Sequence, residues 1–561
     1  MSLSSTTDAA HPRPHATHEV LNQPPERVGI DEATADVALL EAVRRHDAAW
    51  AVGQLHETGA LVGSASFQQD AVLANTMTPV LRATDRWGHR VDEVDYHPAY
   101  HRIIGAAVAA GAHTSAWAAP RPGANVARAA TFLLFSQVEP GHACPVSMTH
   151  AAVPTLQLQP DVAEQWLPRL MSREYDGDLG DGTKPSALVG MAMTEKQGGS
   201  DVRANTTVAV PDGVGGPGSA YHLTGHKWFC SAPMSDAFLV LAQATGPGGE
   251  GLSCFLVPRV LPDGTRNVFR IQRLKDKLGN RSNASAEIEL DGTVGVMVGD
   301  PGRGVRTIIE MVNRTRLDCV LGTAAGMRQG VAEAVWHARH RSAFGRLLVE
   351  QPAMSAVLAD LALESEAATA TAMRLARAHD EDSGDQHFRR LATAVSKYWI
   401  CKRGPQHAYE AMECLGGNGY TEEFPLARRY REQPVLAVWE GSGNVIALDV
   451  LRAMHREPES LEAFHAEASL ARGGHPLLDA HFDRVADGIR AILRADRPDA
   501  ERGARRLVEQ MALALQASLL VRFAPAAVSE AFVETRLGPE RGHEYGVLPA
   551  GTDIAVILER W

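Results

Sequence analysis

The 561-residue chain contains no CxxC pair; its six cysteines, at 144, 230, 254, 319, 401 and 414, are scattered. That spacing argues against a structural zinc site and a disulfide framework, predicts no metal, and suits a reducing cytoplasm. No uninterrupted apolar run is long enough to span a bilayer, so no membrane partner is expected. The first residues lack an apolar h-region, which argues against a signal peptide. No G-x-G-x-x-G run opens a helix after a strand, so a Rossmann nucleotide site is not supported. Positive charge is in short supply. The formal net charge is −12, so the whole molecule does not attract nucleic acid, and any polyanion site must be local. No lysine follows Lys402, and there is no internal repeat.

Apolar residues make up 45 % of the chain and charged residues 22 %, as in globular proteins. The length calls for several domains. Residues 1–25, rich in Ser, Thr, His and Pro, read as a disordered lead. Residues 26–185 read as helical, with runs at Ala33–Val43, Phe67–Met77, His101–Ala119 and Val126–Glu139, and an interruption at Cys144–Thr149. Over 186–300 short apolar runs alternate with glycine-rich breaks. Leu188–Met193, Tyr221–Leu223, Trp228–Phe229, Phe238–Ala242, Ser253–Val257 and Ile288–Leu290 read as strands of an antiparallel barrel or sandwich. Residues 301–455 predict a four-helix bundle: Val305–His340, with a weak break near Gly322 and Gly326, then Gln351–Ala378, Arg389–Leu415 and Ser442–Met454. Residues 456–561 predict a further helical domain, with Leu507, Met511, Leu515 and Leu519 on one face. The fold class is therefore mainly α with a central β domain.

Three stretches carry candidate chemistry. Val438-Trp439-Glu440-Gly441-Ser442-Gly443-Asn444 places one carboxylate beside an indole and before a helix start. A carboxylate against an apolar ring is a candidate base with a raised pKa, and a glycine-preceded helix start is a natural anion site. From those residues alone a surface loop with a capping serine is the better reading. Met193–Asp201 concentrates hydroxyls and free N–H groups where a strand opens into a Gly turn, which can serve a phosphate or a flavin edge, or be any Gly-Gly turn. Lys227-Trp228-Phe229-Cys230-Ser231 can stack on a flat ring and hydrogen-bond it, or be a core strand.

These stretches, with Lys277–Ser282, Arg341–Gly345, Gln351 and Glu413–Tyr420 in this order, resemble the acyl-CoA dehydrogenase family of flavoproteins over roughly residues 30–455. Cys144–Thr149, Glu195–Val202, Leu274–Ser285, Trp439–Asn444 and the arginine-rich tail are similar to its AidB branch, linked to the adaptive response to DNA alkylation. The resemblance implies an α domain, a β domain and a four-helix bundle, plus an extra C-terminal helical domain. It also implies FAD and a homotetramer. Met191, Met193, Thr194, Gly199, Ser200, Phe229 and Ser231 would line the flavin ring. Arg341, Phe344, Gln351, Gly416 and Gly417 would meet the pyrophosphate and adenine half across a subunit interface. Trp439, Gly441, Ser442 and Asn444 would close over the cofactor. Glu440 matches the catalytic base, and Arg316 an arginine near the CoA portion of a small acyl-CoA. Asn313 stands where acyl-CoA enzymes often carry Asp, a departure from ordinary CoA binding.

The tail from 451 holds 14 arginines against 17 acids. Residues 484–506 are locally basic, with Arg484, Arg490, Arg494, Arg497, Arg502, Arg505 and Arg506. By composition alone a solvated helix laced with Arg–Asp/Glu pairs fits this segment better. The resemblance implies sequence-independent binding of double-stranded DNA by these residues, joined by Arg452. The expected function is an FAD-containing protein of the alkylation response that binds duplex DNA and carries weak or narrow, isovaleryl-CoA-type dehydrogenase activity. The alternative is an ordinary short- or branched-chain acyl-CoA dehydrogenase of catabolism without DNA binding.

Overall fold

The computed structural model describes residues 17–180, 182–246, 248–539 and 542–561. Residues 1–16 of the lead expected to be disordered lie outside them. The end of that lead is tied down: Asn22 exchanges side-chain bonds with Ser342, Arg341 donates to the Asn22 carbonyl at 2.8 Å, and Trp336 donates to the Pro25 carbonyl. Backbone hydrogen bonds to a folded surface order a polar segment that composition alone reads as free.

The N-terminal part is helical from Val37 to Leu170, except for a hairpin of β1 (Val80–Thr84) and β2 (Arg90–Asp95) that the periodicity did not predict. The expected interruption at Cys144–Thr149 is instead the first half of one helix, Ala143–Leu156. Pro145 sits in its first turn, where a missing N–H leaves no helical bond unmade.

The β domain is built from β3 (Val189–Ala192), β4 (Val208–Pro211), β5 (Ala220–Ser231), β6 (Ala237–Ala244), β7 (Gly251–Pro258), β8 (Arg270–Leu274) and β9 (Ser285–Val298). Strands β6, β4, β5, β9 and β7 pair in sequence and β7 returns to β6, closing a barrel, with β3 and β8 added outside that ring. The barrel is mixed rather than purely antiparallel, because β6 pairs in parallel with β3 and β4. Strand β6 shows why its sequence reads as a continuous apolar run. Phe238, Val240 and Ala242 fill the barrel, while Leu239 and Leu241 face a second core under Ala151, Trp166 and Met311.

The bundle is organised on one 37-residue helix, Gly304–His340. No break occurs at Gly322 or Gly326. A Cβ on Gly326 would stand 1.7 Å from Gln433 Nε2, so that glycine admits a neighbouring helix rather than ending its own. That neighbour, Pro425–Val438, was not foreseen. Its buried face is polar: Arg429 pairs with Glu333 at 3.0 Å, Arg428 donates to the Val138 carbonyl, and Glu432 accepts from the Asn280 N–H. Apolar periodicity cannot find a helix that buries charge. Pro352–Arg377, Gln386–Glu413 and Gly443–Arg456 complete the bundle.

The tail helices Pro476–Arg494, Arg497–Phe523 and Ala526–Leu537 share one hydrophobic core with the bundle, including Leu507, Met511, Leu515 and Leu519. Buried ion pairs reinforce the seam. Arg536 meets Asp360 and Glu364, Arg374 meets Glu467, and Arg560 meets Glu41 and Glu366. Among the described residues no single helix is long and apolar enough to cross a membrane, and no cluster of three or more His, Cys, Asp or Glu could hold a metal.

Candidate active site

Glu440 occupies the turn between Pro425–Val438 and Gly443–Arg456, with φ of 57°, followed by Gly441 at 103°. A left-handed glutamate is costly and persists only where its surroundings hold it. Here they do. Lys397, buried on Gln386–Glu413, donates to the Trp439 carbonyl at 2.9 Å and to that of Gly441 at 2.5 Å. Arg316 donates to the Glu440 carbonyl at 3.1 Å and to Asp449 at 2.8 Å. Thr315 Oγ1 donates to Glu440 Oε2 at 2.7 Å. Burial raises the Glu440 pKa, opposed by the Thr315 hydrogen bond and the Arg316 and Lys397 charges.

Ser442 stands at the cap position of the following helix, yet its hydroxyl makes no capping bond. Ser442 and Asn444 are exposed at that helix start. Trp439 packs against Cys319, Cys401 and Leu436, and its buried Nε1 lacks a partner among the described residues.

The β domain supplies the facing wall. Trp228 N–H donates to the Thr194 carbonyl at 2.8 Å, which joins the two stretches noted in the sequence. Glu195 anchors the turn between them. It pairs with buried Lys227 at 2.8 Å and accepts from Thr206 and Thr207. Burial pushes its carboxyl up, but these donors hold it well below the usual range. The anchor leaves other groups open: Met191, Met193 and Thr194 are half-buried, and Gly199, Ser200 and Phe229 are exposed. Ser231 Oγ lies 3.3 Å from Ser285 Oγ, to which Lys277 donates at 3.0 Å. Burial lowers the Lys277 pKa to about 8. Cys144 borders Ser231 and Asn283 and is within electrostatic reach of Lys277 and Glu440, so the loop and the β wall come near one another at Cys144. Burial pushes its thiol up to about 11. Cys144 and Lys277 were not singled out as site residues, because neither carries a local signature; only the barrel brings them beside Ser231.

Arg316, expected near the CoA portion of a substrate, has a side chain 7 % exposed and engaged with Asp449 and the Glu440 carbonyl, so it fixes the loop.

A second group of expected cofactor residues lies elsewhere. Arg341 ends the long helix, Gln351 Nε2 donates to the Ala343 carbonyl at 3.0 Å, and Phe344 is wholly exposed with φ of 54°. Gly416 and Gly417 are open, with nothing near a built Cβ. About 25 residues of helix separate Arg341 from Arg316, roughly 38 Å of axis. One chain does not bring the two groups together.

The tail arginines divide. Arg452 pairs with Asp449, Arg490 with Asp487, Arg497 with Glu501 and Arg502 with Asp499. Arg484 contacts His481 Nδ1 at 3.3 Å, and Arg505 donates to the Tyr398 hydroxyl at 3.1 Å. Arg494 and Arg506 are exposed and have no partner among the described residues.

The cleft suits a flavin. It offers hydroxyls at Thr194 and Ser200 that have no partner among the described residues, the Ser231 hydroxyl beside Ser285, an exposed aromatic face at Phe229 and a cradle at Gly199, where a Cβ would meet Thr194 Oγ1 at 2.5 Å. Comparison with known proteins agrees. Residues 22–177 match the adaptive response protein AidB N-terminal domain, 190–293 the acyl-CoA dehydrogenase middle domain, and 302–455 the acyl-CoA dehydrogenase C-terminal domain. The chain is 44 % identical over 533 residues to the protein named "Putative acyl-CoA dehydrogenase AidB" of Escherichia coli, covering 94 % of this chain and 95 % of that one. The solved structure of Caenorhabditis elegans ACDH-11 in complex with C11-CoA has a TM-score of 0.82 at 25 % identity, covering 97 % and 93 % of the two chains. A Bacillus anthracis acyl-CoA dehydrogenase complexed with FAD shares the fold, with a TM-score of 0.62 at 17 % identity over 78 % and 79 %. The chain belongs to the acyl-CoA dehydrogenase family of FAD-dependent oxidoreductases, in its AidB branch.

Proposed function

We propose that the protein oxidises a small acyl-CoA, of isovaleryl type and in a narrow range, with Glu440 as the base. The observation that carries this is the desolvated Glu440 carboxylate, held by Thr315 and within electrostatic reach of Cys144, which borders Ser231. Glu440 takes the α-proton of the acyl thioester, and the α-carbon electron pair forms the new C=C bond. Bound FAD supplies the oxidant that accepts the β-hydrogen with its electron pair. Arg316 and Lys397 fix the loop, so the carboxylate meets the α-carbon without reorganisation. Thr194, Ser200 and Ser231 would hold the flavin edge, and Trp439 and Asn444 would close over it. Anaerobic titration of the yellow holoprotein with an acyl-CoA panel tests this reading. Bleaching by a short branched substrate is expected; a panel that leaves the flavin oxidised overturns it.

The assembly is a homotetramer in which a neighbouring copy brings Arg341, Phe344, Gln351, Gly416 and Gly417 to the flavin site. The roughly 38 Å between the two groups on one chain and the exposed Phe344 hairpin support this. Six unpaired cysteines support a cytoplasmic location.

A second activity, binding of duplex DNA during the alkylation response, is favoured by arginines on the tail that have no carboxylate partner among the described residues: Arg484, Arg494, Arg505 and Arg506. Arg452, Arg490, Arg497 and Arg502, paired with acids, contribute less. The test is retention of duplex DNA against salt. Every arginine withdrawn from a phosphate lowers the log–log slope by about 0.9, so replacing Arg494 and Arg506 by Gln flattens it by about 2. Slopes identical to wild type leave the catabolic dehydrogenase without DNA binding as the better reading.

A further inference from the structure

Where the tail meets the bundle, an open groove of about 790 Å3 is lined by Tyr398, Arg484, Arg505, Arg506, Glu509 and Arg536. That volume suits a ligand of nucleotide size. Its charge is not balanced from within, since these arginines outnumber the one acid among them, Glu509. Arg536 is offset by Asp360 at 2.6 Å and Glu364 at 3.0 Å. Arg505 donates only to the Tyr398 hydroxyl, Arg484 contacts only His481, and Arg506 has no partner among the described residues. On the same two helices, away from the groove, Arg490, Arg497 and Arg502 each take a neighbouring acid. Lys402 adds a further cation close to the Tyr398 ring and to Arg505. Guanidinium groups gathered in excess over carboxylates repel one another until an anion arrives, and their paired donors match phosphate oxygens.

The groove also abuts the active-site loop. A Cβ on Gly443 would stand 2.8 Å from Lys402 Cε and 3.6 Å from Tyr398 Cε2, so both side chains lie directly behind the turn that carries Glu440. A ligand that draws in Arg505 and Lys402 therefore moves groups in contact with residues 441–444.

We propose that this groove binds an organic polyphosphate of nucleotide size through Arg484, Arg505 and Arg506, and that occupancy is transmitted through Tyr398 and Lys402 to the loop over the flavin. The proposal stands apart from DNA binding and does not need it.

The test is calorimetric titration of FAD-saturated holoprotein at low salt with ADP and, separately, with inorganic pyrophosphate, while the visible flavin spectrum is followed. Full loading with FAD keeps the probe out of the cofactor's own site. Saturable binding of ADP near one per chain is expected, weakened at least tenfold in the Arg505→Gln/Arg506→Gln double variant and unchanged in Arg497→Gln. Arg506→Gln alone is the second variant; its side chain supports no other residue, and a threefold or greater loss is expected. Pyrophosphate binding as well as ADP assigns recognition to the phosphates; pyrophosphate binding without ADP overturns the nucleotide-sized ligand. A flavin difference spectrum on ADP addition, absent from the double variant, supports transmission to the loop, and binding without a spectral change overturns that part. No saturable binding to wild type, or binding indifferent to the substitutions, overturns the site. If neither phosphate binds while DNA retention falls in the double variant, these arginines belong to a DNA face and the groove proposal is lost.

Discussion

Thr315 donates to the Glu440 carboxylate at 2.7 Å, joining a residue inside the long bundle helix to a loop residue 125 positions further along the chain. The next helical residue, Arg316, holds the backbone of the same glutamate at 3.1 Å. One turn of helix thus sets both the position and the acidity of the candidate base.

Replacing Glu440 by Gln removes the proton acceptor and keeps the shape. The rate of anaerobic flavin bleaching by acyl-CoA is expected to fall by about 10²- to 10⁴-fold, the usual worth of a positioned base. FAD content, read by absorbance, stays at the wild-type level.

The acidity of Glu440 should appear in the pH profile. The base works only when deprotonated, so kcat/KM falls as pH drops through its pKa, which lies above the ordinary 4.5 because of burial. In Thr315→Val the hydrogen bond that favours the carboxylate is gone. The acid limb of the profile then moves to higher pH, and a limb that stays put or moves down contradicts the assignment.

Arg316→Gln tests positioning against substrate contact. It strips a buried charge partner from Asp449, which keeps Arg390 at 3.3 Å and Arg452 at 3.2 Å. A loss of about 3 kcal/mol is expected, at the low end for a broken buried pair, read from the denaturant midpoint. A raised KM for acyl-CoA at unchanged stability would instead restore the role of CoA contact.

Glu432 gives a pH signature of folding. Burial, then the neighbouring Glu139 carboxylate, raises its pKa to about 7. Between its ordinary 4.5 and 7 the folded state holds more protons than the unfolded chain, so stability is fullest below that window and declines as pH rises through it. The ceiling on the effect is about 3 kcal/mol. In Glu432→Gln this decline is absent, as unfolding at pH 5 and pH 8 would reveal.

Gly199→Ala closes the cradle. Its Cβ would meet Thr194 Oγ1 at 2.5 Å, so at this exposed turn the hydroxyl must swing out of the cradle. FAD retention after gel filtration is expected to drop, with the melting temperature of the apoprotein little changed.

The stretches of the candidate site stand out in the sequence because their signals are local. A lone carboxylate at 440 followed by Gly441 and Gly443, and a strand that opens into Gly198-Gly199, keep their meaning without tertiary context. Helix Pro425–Val438 could not be read this way, because it buries Arg428, Arg429 and Glu432 where the helical pattern expects apolar residues. Nor could Cys144 and Lys277, which become neighbours of Ser231 only once the barrel and the Ala143–Leu156 helix are packed.

The sequence by itself determined the order of helical, β and helical parts, the loop that carries Glu440, and the Gly198-Gly199 turn after a strand, since each rests on periodicity or on glycine at short range. Tertiary structure alone decided what Arg316 does. Sequence shows an arginine three residues after Asn313; packing turns it toward Asp449 and the Glu440 carbonyl, because a buried guanidinium must find a carboxylate. It also decided which tail arginines remain free, since pairing depends on which acids the helices place within reach.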